Sequence, residues 1–333
     1  MTQSNKKKIF VTGIQPTGDG NLHIGNYCGC IYNIKKLLQN KKESDNIEIY
    51  IFIADLHSMT VFTKDLKKKS FNLVKNLYAF FKNTKINIYV QSEIKGIIEG
   101  LWLLSMFTTT GEMNRMTQFK DKKHLSNNNI GLYTYPILMA ADILLMKANY
   151  VPVGEDQNQH LEVIKNIAEK VTKEIPNIFP IPTTYHFNEK STRIMTLNNI
   201  NKKMSKSIPD GCIFLNDSSE TINEKIKKAQ TDEWLFPSTL ENLITRPAAY
   251  NLVNIFSFII DMPLEEIINK YKEYQWKDFK NILSDTLITF TNEFKKNFNS
   301  ITDEEVEEML LKNNKKINNL VKENLKDLYK IYM

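Results

Sequence analysis

The chain has 333 residues, 42% of them hydrophobic and 25% charged, the composition of a globular protein with room for two domains. Its apolar runs break off well short of the roughly 18 residues needed to span a bilayer. Its three cysteines, Cys28, Cys30 and Cys212, suit neither a disulfide framework nor a zinc site. A net charge of +6, from 44 basic and 38 acidic residues, permits a nucleic-acid partner without establishing one. The opening MTQSNKKKIFVTG has a basic cluster but no apolar stretch of signal-peptide length, so a cytoplasmic protein is expected.

Taken in chain order, KIFVTGIQ (8–15) reads as a strand and 25–40 as a helix. A strand at IEIYIFIAD (47–55), a helix at 64–83 and a strand at INIYVQSE (86–93) follow. Helical spacing returns at 95–107 and 136–147, then a strand at NYVPVGED (149–156) and a helix at 157–173. Strand, helix, strand at this rhythm predicts an α/β fold, a Rossmann-like doubly wound parallel sheet, with ligands beyond the carboxyl ends of its strands. After about 215 every long segment is an amphipathic helix, several opening on Ser, Thr, Asp or Pro. The chain is therefore expected to divide into residues 1–212, the sheet domain, and 213–333, an all-helical domain whose last helix packs back on the first.

Three stretches stand out chemically. In GIQPTGDGNLHIGNY (13–27), glycines let backbone approach a ligand, and a helix starting near Gly25 offers free N–H groups to a phosphate, with His23 and Asn26 as further donors. A ligand-free glycine-rich hairpin is the other reading. In NKKMSKS (201–207), Lys203 and Lys206 beside Ser205 and Ser207 suit a mobile loop that neutralises a leaving pyrophosphate, or else an exposed basic loop. The run PILMAADILLMK (136–147) contains one carboxylate, Asp142, and no cation before its closing Lys147. A buried unpaired charge is costly, so its partner comes from elsewhere in the fold or from a ligand. Tyr135, Met139 and Asp142, spaced four and three apart, share a helical face on which Pro136 suits the first turn. That face could line an apolar slot ending in one acceptor, which fits indole. Pairing with an arginine, or capping of a neighbouring helix, would equally satisfy Asp142. Cys28 and Cys30 read as packing residues.

HIGN followed by KMSKS resembles the paired signatures of class I aminoacyl-tRNA synthetases. The series GIQPTG, HIGNY, GEMNRMTQFKDK (111–122), YPILMAADILL (135–145), VPVGEDQNQHLE (151–162), RIM (193–195) and KKMSKS (202–207) looks like that of bacterial-type tryptophanyl-tRNA synthetases. It covers most of residues 9–210 and continues weakly through 225–232 and 246–256. MAADILL and VPVGEDQ separate it from the tyrosyl enzymes. The resemblance implies ATP-dependent activation of L-tryptophan, with Mg²⁺ carried by the phosphates, and transfer to tRNA(Trp), by a homodimer whose helical domain reads the anticodon.

By the same resemblance, His23, Asn26, Lys203 and Lys206 do the catalytic work. Gln15, Pro16, Thr17, Gly25, Asn26, Gly154, Glu155, Asp156, Ile194 and the loop Lys203, Met204, Ser205, Lys206, Ser207 bind ATP, with Lys120 and Lys122 as further triphosphate contacts. Asp142 accepts the indole N–H; Gln157 is added for the amino-acid end of the substrate and Tyr135, Met139 and His57 for the pocket, the first two of these reading otherwise as core and His57 as a strand-end histidine. The chain departs from the family pattern around Asp19, Gly20 and Asn21, where the loop is two residues longer. A tyrosyl-tRNA synthetase and an inactive RNA-binding paralogue are the competing readings. Intact His23, Asn26, Lys203 and Lys206 weigh against the second.

Overall fold

The computed structural model describes residues 7–39, 46–116, 129–152, 157–185 and 193–333. Five parallel strands form one sheet in the order β3-β2-β1-β4-β5. They are β1 (Lys8–Ile14), β2 (Ile47–Ile53), β3 (Asn87–Val90), β4 (Tyr150–Val151) and β5 (Thr183–Thr184). The principal helices are α1 (24–39), α2 (Leu66–Phe81), α3 (Gly96–Ser105), α4 (Ile130–Leu144), α5 (Asn158–Glu174), α6 (Ser219–Lys228), α7 (Pro247–Ile260), α8 (Leu264–Tyr271), α9 (Trp276–Asn299) and α10 (Asp303–Tyr329). Within α1, Tyr27–Ile31 winds as a π-turn. Cys28 and Cys212 are buried and unbridged.

The strand order reverses at β1, whose neighbours are β2 on one side and β4 on the other. That reversal opens a crevice beyond the carboxyl ends of the strands. β2 is buried over nearly its whole length, as a strand covered on both faces should be. The strands after β2 are shorter than their sequences suggest. In INIYVQSE the ladder stops at Val90 and Gln91–Glu93 turn as a 3₁₀ helix. Of 149–156 only Tyr150–Val151 pairs, and β5, two residues of polar Thr183–Thr184, carries no periodic signal.

Helix α4 begins six residues before the expected start at Pro136. Asn129 caps it by accepting from the Leu132 N–H at 2.8 Å, so Pro136 lies in the interior rather than the first turn. With no N–H, Pro136 cannot bond the Leu132 carbonyl one turn back.

Packing divides the chain into two compact units, each discontinuous. One comprises Met1–Gly20, Asn40–Phe187 and Thr302–Met333, and the other Asn21–Gln39 and Asn188–Ile301. These units do not follow the division at 212–213 drawn from composition. The reason is pairing between segments distant in sequence: the Ile24 N–H donates to the Ile213 carbonyl at 3.0 Å and the Leu215 N–H to the Leu22 carbonyl at 3.0 Å, joining HIGN to the chain after 212. The last helix, α10, belongs with the sheet. Its Ile317, Val321, Leu325 and Leu328 lie in the same hydrophobic cluster as Val11, Phe52 and Ile143. Its Asn313 and Asn324 donate to the carbonyls of Ile88 (3.0 Å) and Leu145 (2.7 Å).

Candidate functional site

In the sheet unit, the loops after β2 and β3 converge on α4 around Asp142. The carboxylate is fully buried. Its Oδ2 meets Gln91 Nε2 at 2.7 Å and His57 Nε2 at 3.0 Å. An ionised carboxylate has only acceptors, so both neighbours donate. Its Oδ1 has no partner among the described residues. Neither a lysine nor an arginine pairs with Asp142 there, which leaves the fold satisfying one oxygen with an amide and an imidazole and a second oxygen open. Burial pushes this carboxyl above the ordinary aspartate range, the His57 and Gln91 contacts pull it back, and the nearby Asp55 charge adds to the rise.

Of the other pocket candidates, His57 and, through it, Tyr135 adjoin this group. The His57 ring lies 5.4 Å from that of Tyr135, edge to face, and Tyr135 Oη bonds His160 Nε2 at 2.5 Å. Met139 is buried within the hydrophobic cluster, so its thioether is part of the core wall. Gln157 is half-buried just before α5. Gln15 and Thr17 are exposed beyond β1, with Pro16 buried between them, and the Thr17 N–H turns back to the Gln15 carbonyl at 2.9 Å. The longer loop has a defined path here: Asn72 Nδ2 on α2 donates to the Asp19 carbonyl at 2.7 Å, and Gly20 sits at φ +82°, a conformation that suits glycine. Lys120, Lys122, Gly154, Glu155 and Asp156 lie outside the described residues.

The second unit brings the two signature segments together. His23 caps α1 by accepting the Asn26 N–H on Nδ1 at 3.3 Å, while Asn26 Oδ1 accepts the His23 N–H at 3.1 Å. Because Nδ1 is an acceptor, the ring proton resides on Nε2. Burial, then the charges of Lys206 and Lys203, lowers the His23 pKa to about 3, so the ring is neutral near pH 7. Its neutral N–H can donate to an oxygen without adding charge.

The Lys203–Ser207 loop is anchored by Met204, buried with its N–H on the Ile194 carbonyl at 2.9 Å. A Cβ on Gly25 would stand 2.9 Å from the His23 ring and 3.4 Å from Met204 Cβ, so glycine allows α1 to start against this loop. Lys203 is exposed and Lys206 half-buried, and Ser205 and Ser207 bond each other through their hydroxyls at 3.0 Å. A helix start, a neutral ring donor and two lysines are a donor set for a polyphosphate. Among the described residues no group of three or more His, Cys, Asp or Glu is disposed to hold a metal.

Sequence reasoning missed Gln91, Asp55 and His160. Asp55 accepts from the N–H groups of Leu56 and Ser92, both at 3.0 Å, and from Ser92 Oγ at 2.5 Å, joining the turns after β2 and β3. The only signal was a polar residue soon after each strand, Asp55 after β2 and Gln91 after β3.

A doubly wound parallel sheet with polar side chains gathered beyond its strands, together with a helix start packed on a lysine loop, defines a nucleotide-binding enzyme of the Rossmann type. More narrowly, the chain belongs to the family of class I tRNA synthetases (W and Y), which it matches over residues 3–297. It is 36% identical to the tryptophan–tRNA ligase of Caldanaerobacter subterraneus, over 97% of each chain. It is 38% identical to that of Helicobacter pylori J99, over 92% of each. Among solved structures, tryptophanyl-tRNA synthetase from Mycoplasma pneumoniae superposes with a TM-score of 0.83 at 30% identity, covering 98% of this chain and 97% of that one. The Campylobacter jejuni enzyme, complexed with ADP and tryptophan, gives 0.78 at 30% identity, covering 97% and 98%.

Proposed function

We propose that the chain activates L-tryptophan with ATP and transfers it to tRNA(Trp), releasing pyrophosphate and then AMP. The observation that carries the choice of amino acid is the buried Asp142 with one unpartnered oxygen. Indole brings one N–H and a large apolar ring, which completes that acceptor and fills the slot. A ring without a donor leaves the acceptor unmet, a penalty that supports discrimination of roughly 10⁴–10⁵-fold.

In the first step the tryptophan carboxylate attacks the α-phosphorus, and the bond to the bridging oxygen breaks with its electron pair leaving on pyrophosphate. No protein side chain forms a bond, so the work is positioning and charge stabilisation. Lys203 and Lys206 meet the charge that accumulates on the leaving group. The Nε2–H of His23 and the Asn26 amide donate to phosphate oxygens, while Mg²⁺ is carried mainly by the phosphates. Gln15, Pro16, Thr17, Gly25, Ile194 and the segments bearing Lys120, Lys122 and Gly154–Asp156 complete the ATP contacts. Tyr135, Met139, His57 and Gln157 line the tryptophan side. The 3′-terminal ribose hydroxyl of tRNA then attacks the carbonyl carbon, displacing AMP.

The helices after 213 that precede α10 are the anticodon-reading part of this scheme, and the cytoplasm is its place. We further assign a homodimer: Ile98 and Trp102 on α3 and Met106 at its C-cap, four residues apart, leave an apolar stripe exposed, with Trp102 66% accessible. A second copy would cover it.

The test is amino-acid-dependent exchange of labelled pyrophosphate into ATP without tRNA. Exchange is expected with tryptophan and not with tyrosine or phenylalanine, and to be lost in Asp142→Ala. Lys206→Ala is expected to slow it by ~10²–10³-fold. Exchange with tyrosine would transfer the reading to a tyrosyl enzyme. Folded protein inactive with every amino acid would point to a non-catalytic paralogue.

A further inference from the structure

We propose that Gln91, together with His57, is a positioning residue for amino-acid selection: by occupying Asp142 Oδ2 the two side chains turn Oδ1 into the single acceptor offered to a ring N–H donor. This rests on the reading that Asp142 meets the indole.

A carboxylate is symmetric and free to rotate, so as an acceptor it has no preferred oxygen until something distinguishes the two. Here both protein donors converge on one of them, Gln91 at 2.7 Å and His57 at 3.0 Å. Oδ1 is buried and bare among the described residues. The orientation of the Gln91 amide follows from its partner: only the nitrogen end can donate to a carboxylate, so Nε2 faces Asp142 and Oε1 points away. Gln91 is itself fully buried, which excludes water as a substitute donor from bulk solvent.

The two donors are held by a common fastener. Asp55 accepts from Leu56 N–H in the turn that carries His57. It also accepts from Ser92 N–H and Ser92 Oγ in the turn that carries Gln91. The 3₁₀ turn is closed by the Ile94 N–H on the Gln91 carbonyl at 3.1 Å. Gln91 therefore sits 51 residues from Asp142 in sequence yet is delivered to it by a turn with little freedom. A side chain so placed touches Asp142 and acts on the substrate through it.

The experiment compares tryptophan with its benzothienyl analogue, in which sulfur replaces the ring N–H, using pyrophosphate exchange with wild type, Gln91→Met, Ser92→Ala and Asp142→Ala. Methionine keeps the length and apolar volume of Gln91 and removes the donor. Hydrogen bonds to charged groups set the expected loss at roughly 10–100-fold in the KM for tryptophan. The KM for ATP, the KM for the analogue and kcat should stay within a few-fold. Ser92 is exposed, so Ser92→Ala keeps the core intact, and it should raise the tryptophan KM by a smaller factor in the same direction. An unchanged tryptophan KM in Gln91→Met, or an equal rise for both amino acids, would overturn the proposal. If Asp142→Ala retained exchange and kept the wild-type preference for tryptophan over its analogue, the indole reading itself would fail, whatever Gln91 did.

Discussion

His23 shows how one residue serves both structure and chemistry. Its Nδ1 caps α1 and its Nε2–H is left to donate, and the lowered pKa of about 3 keeps that tautomer across the physiological range. The positive charge for a polyphosphate therefore comes from Lys203 and Lys206 rather than from an imidazolium. Linkage fixes the sign of the pH effect. The unfolded chain takes up a proton near 6.5 that the folded chain refuses until about 3, so this contribution to stability is complete above 6.5 and is lost as pH falls. We expect the melting temperature to decline from pH 7 to pH 5. His23→Asn retains a capping acceptor and removes the titration, so its decline should be shallower. Parallel profiles in thermal melts would contradict this origin.

At the level of elements, the last helix depends on a capping box. Thr302 Oγ1 accepts the Glu305 N–H at 3.2 Å, and Glu305 Oε2 accepts the Thr302 N–H at 3.3 Å. Glu305 also pairs with Lys82 at 2.8 Å on the surface. Caps of this kind contribute about 0.5–2 kcal/mol, whereas a fully exposed ion pair is screened by water and contributes less. Thr302→Ala should therefore lower stability in urea unfolding more than Lys82→Ala does, and the reverse order would refute the ranking. The consequence reaches the sheet, because α10 closes the edge strand β3 through Asn313 on the Ile88 carbonyl. Loss of that cover would expose an edge available for pairing.

For the whole molecule, the stripe at Ile98, Trp102 and Met106 makes assembly testable. Trp102→Glu places a charge in the middle of it. By sedimentation velocity, wild type should run at twice the chain mass of 38.8 kDa and the variant at that mass. A wild-type monomer would remove the dimer from the scheme while leaving the activation chemistry untouched.

Length, composition and local pattern determined a good deal by themselves. β1 and β2 were legible because β-branched runs declare buried strands. The helices after 215 were legible because their spacing and caps are local, and HIGN and KMSKS were legible because residue order carries the family. Tertiary structure decided the rest, for a physical reason: the deciding contacts are distant in sequence. Asp142 finds its donors 51 and 85 residues away, Asp19 is fastened by Asn72, and α10 returns to the strand at Ile88. The start of α4 turned on one cap, Asn129, outweighing a proline that reads as a beginning. Which oxygen of Asp142 stays open follows only from where two turns end, and no periodicity along the chain encodes that.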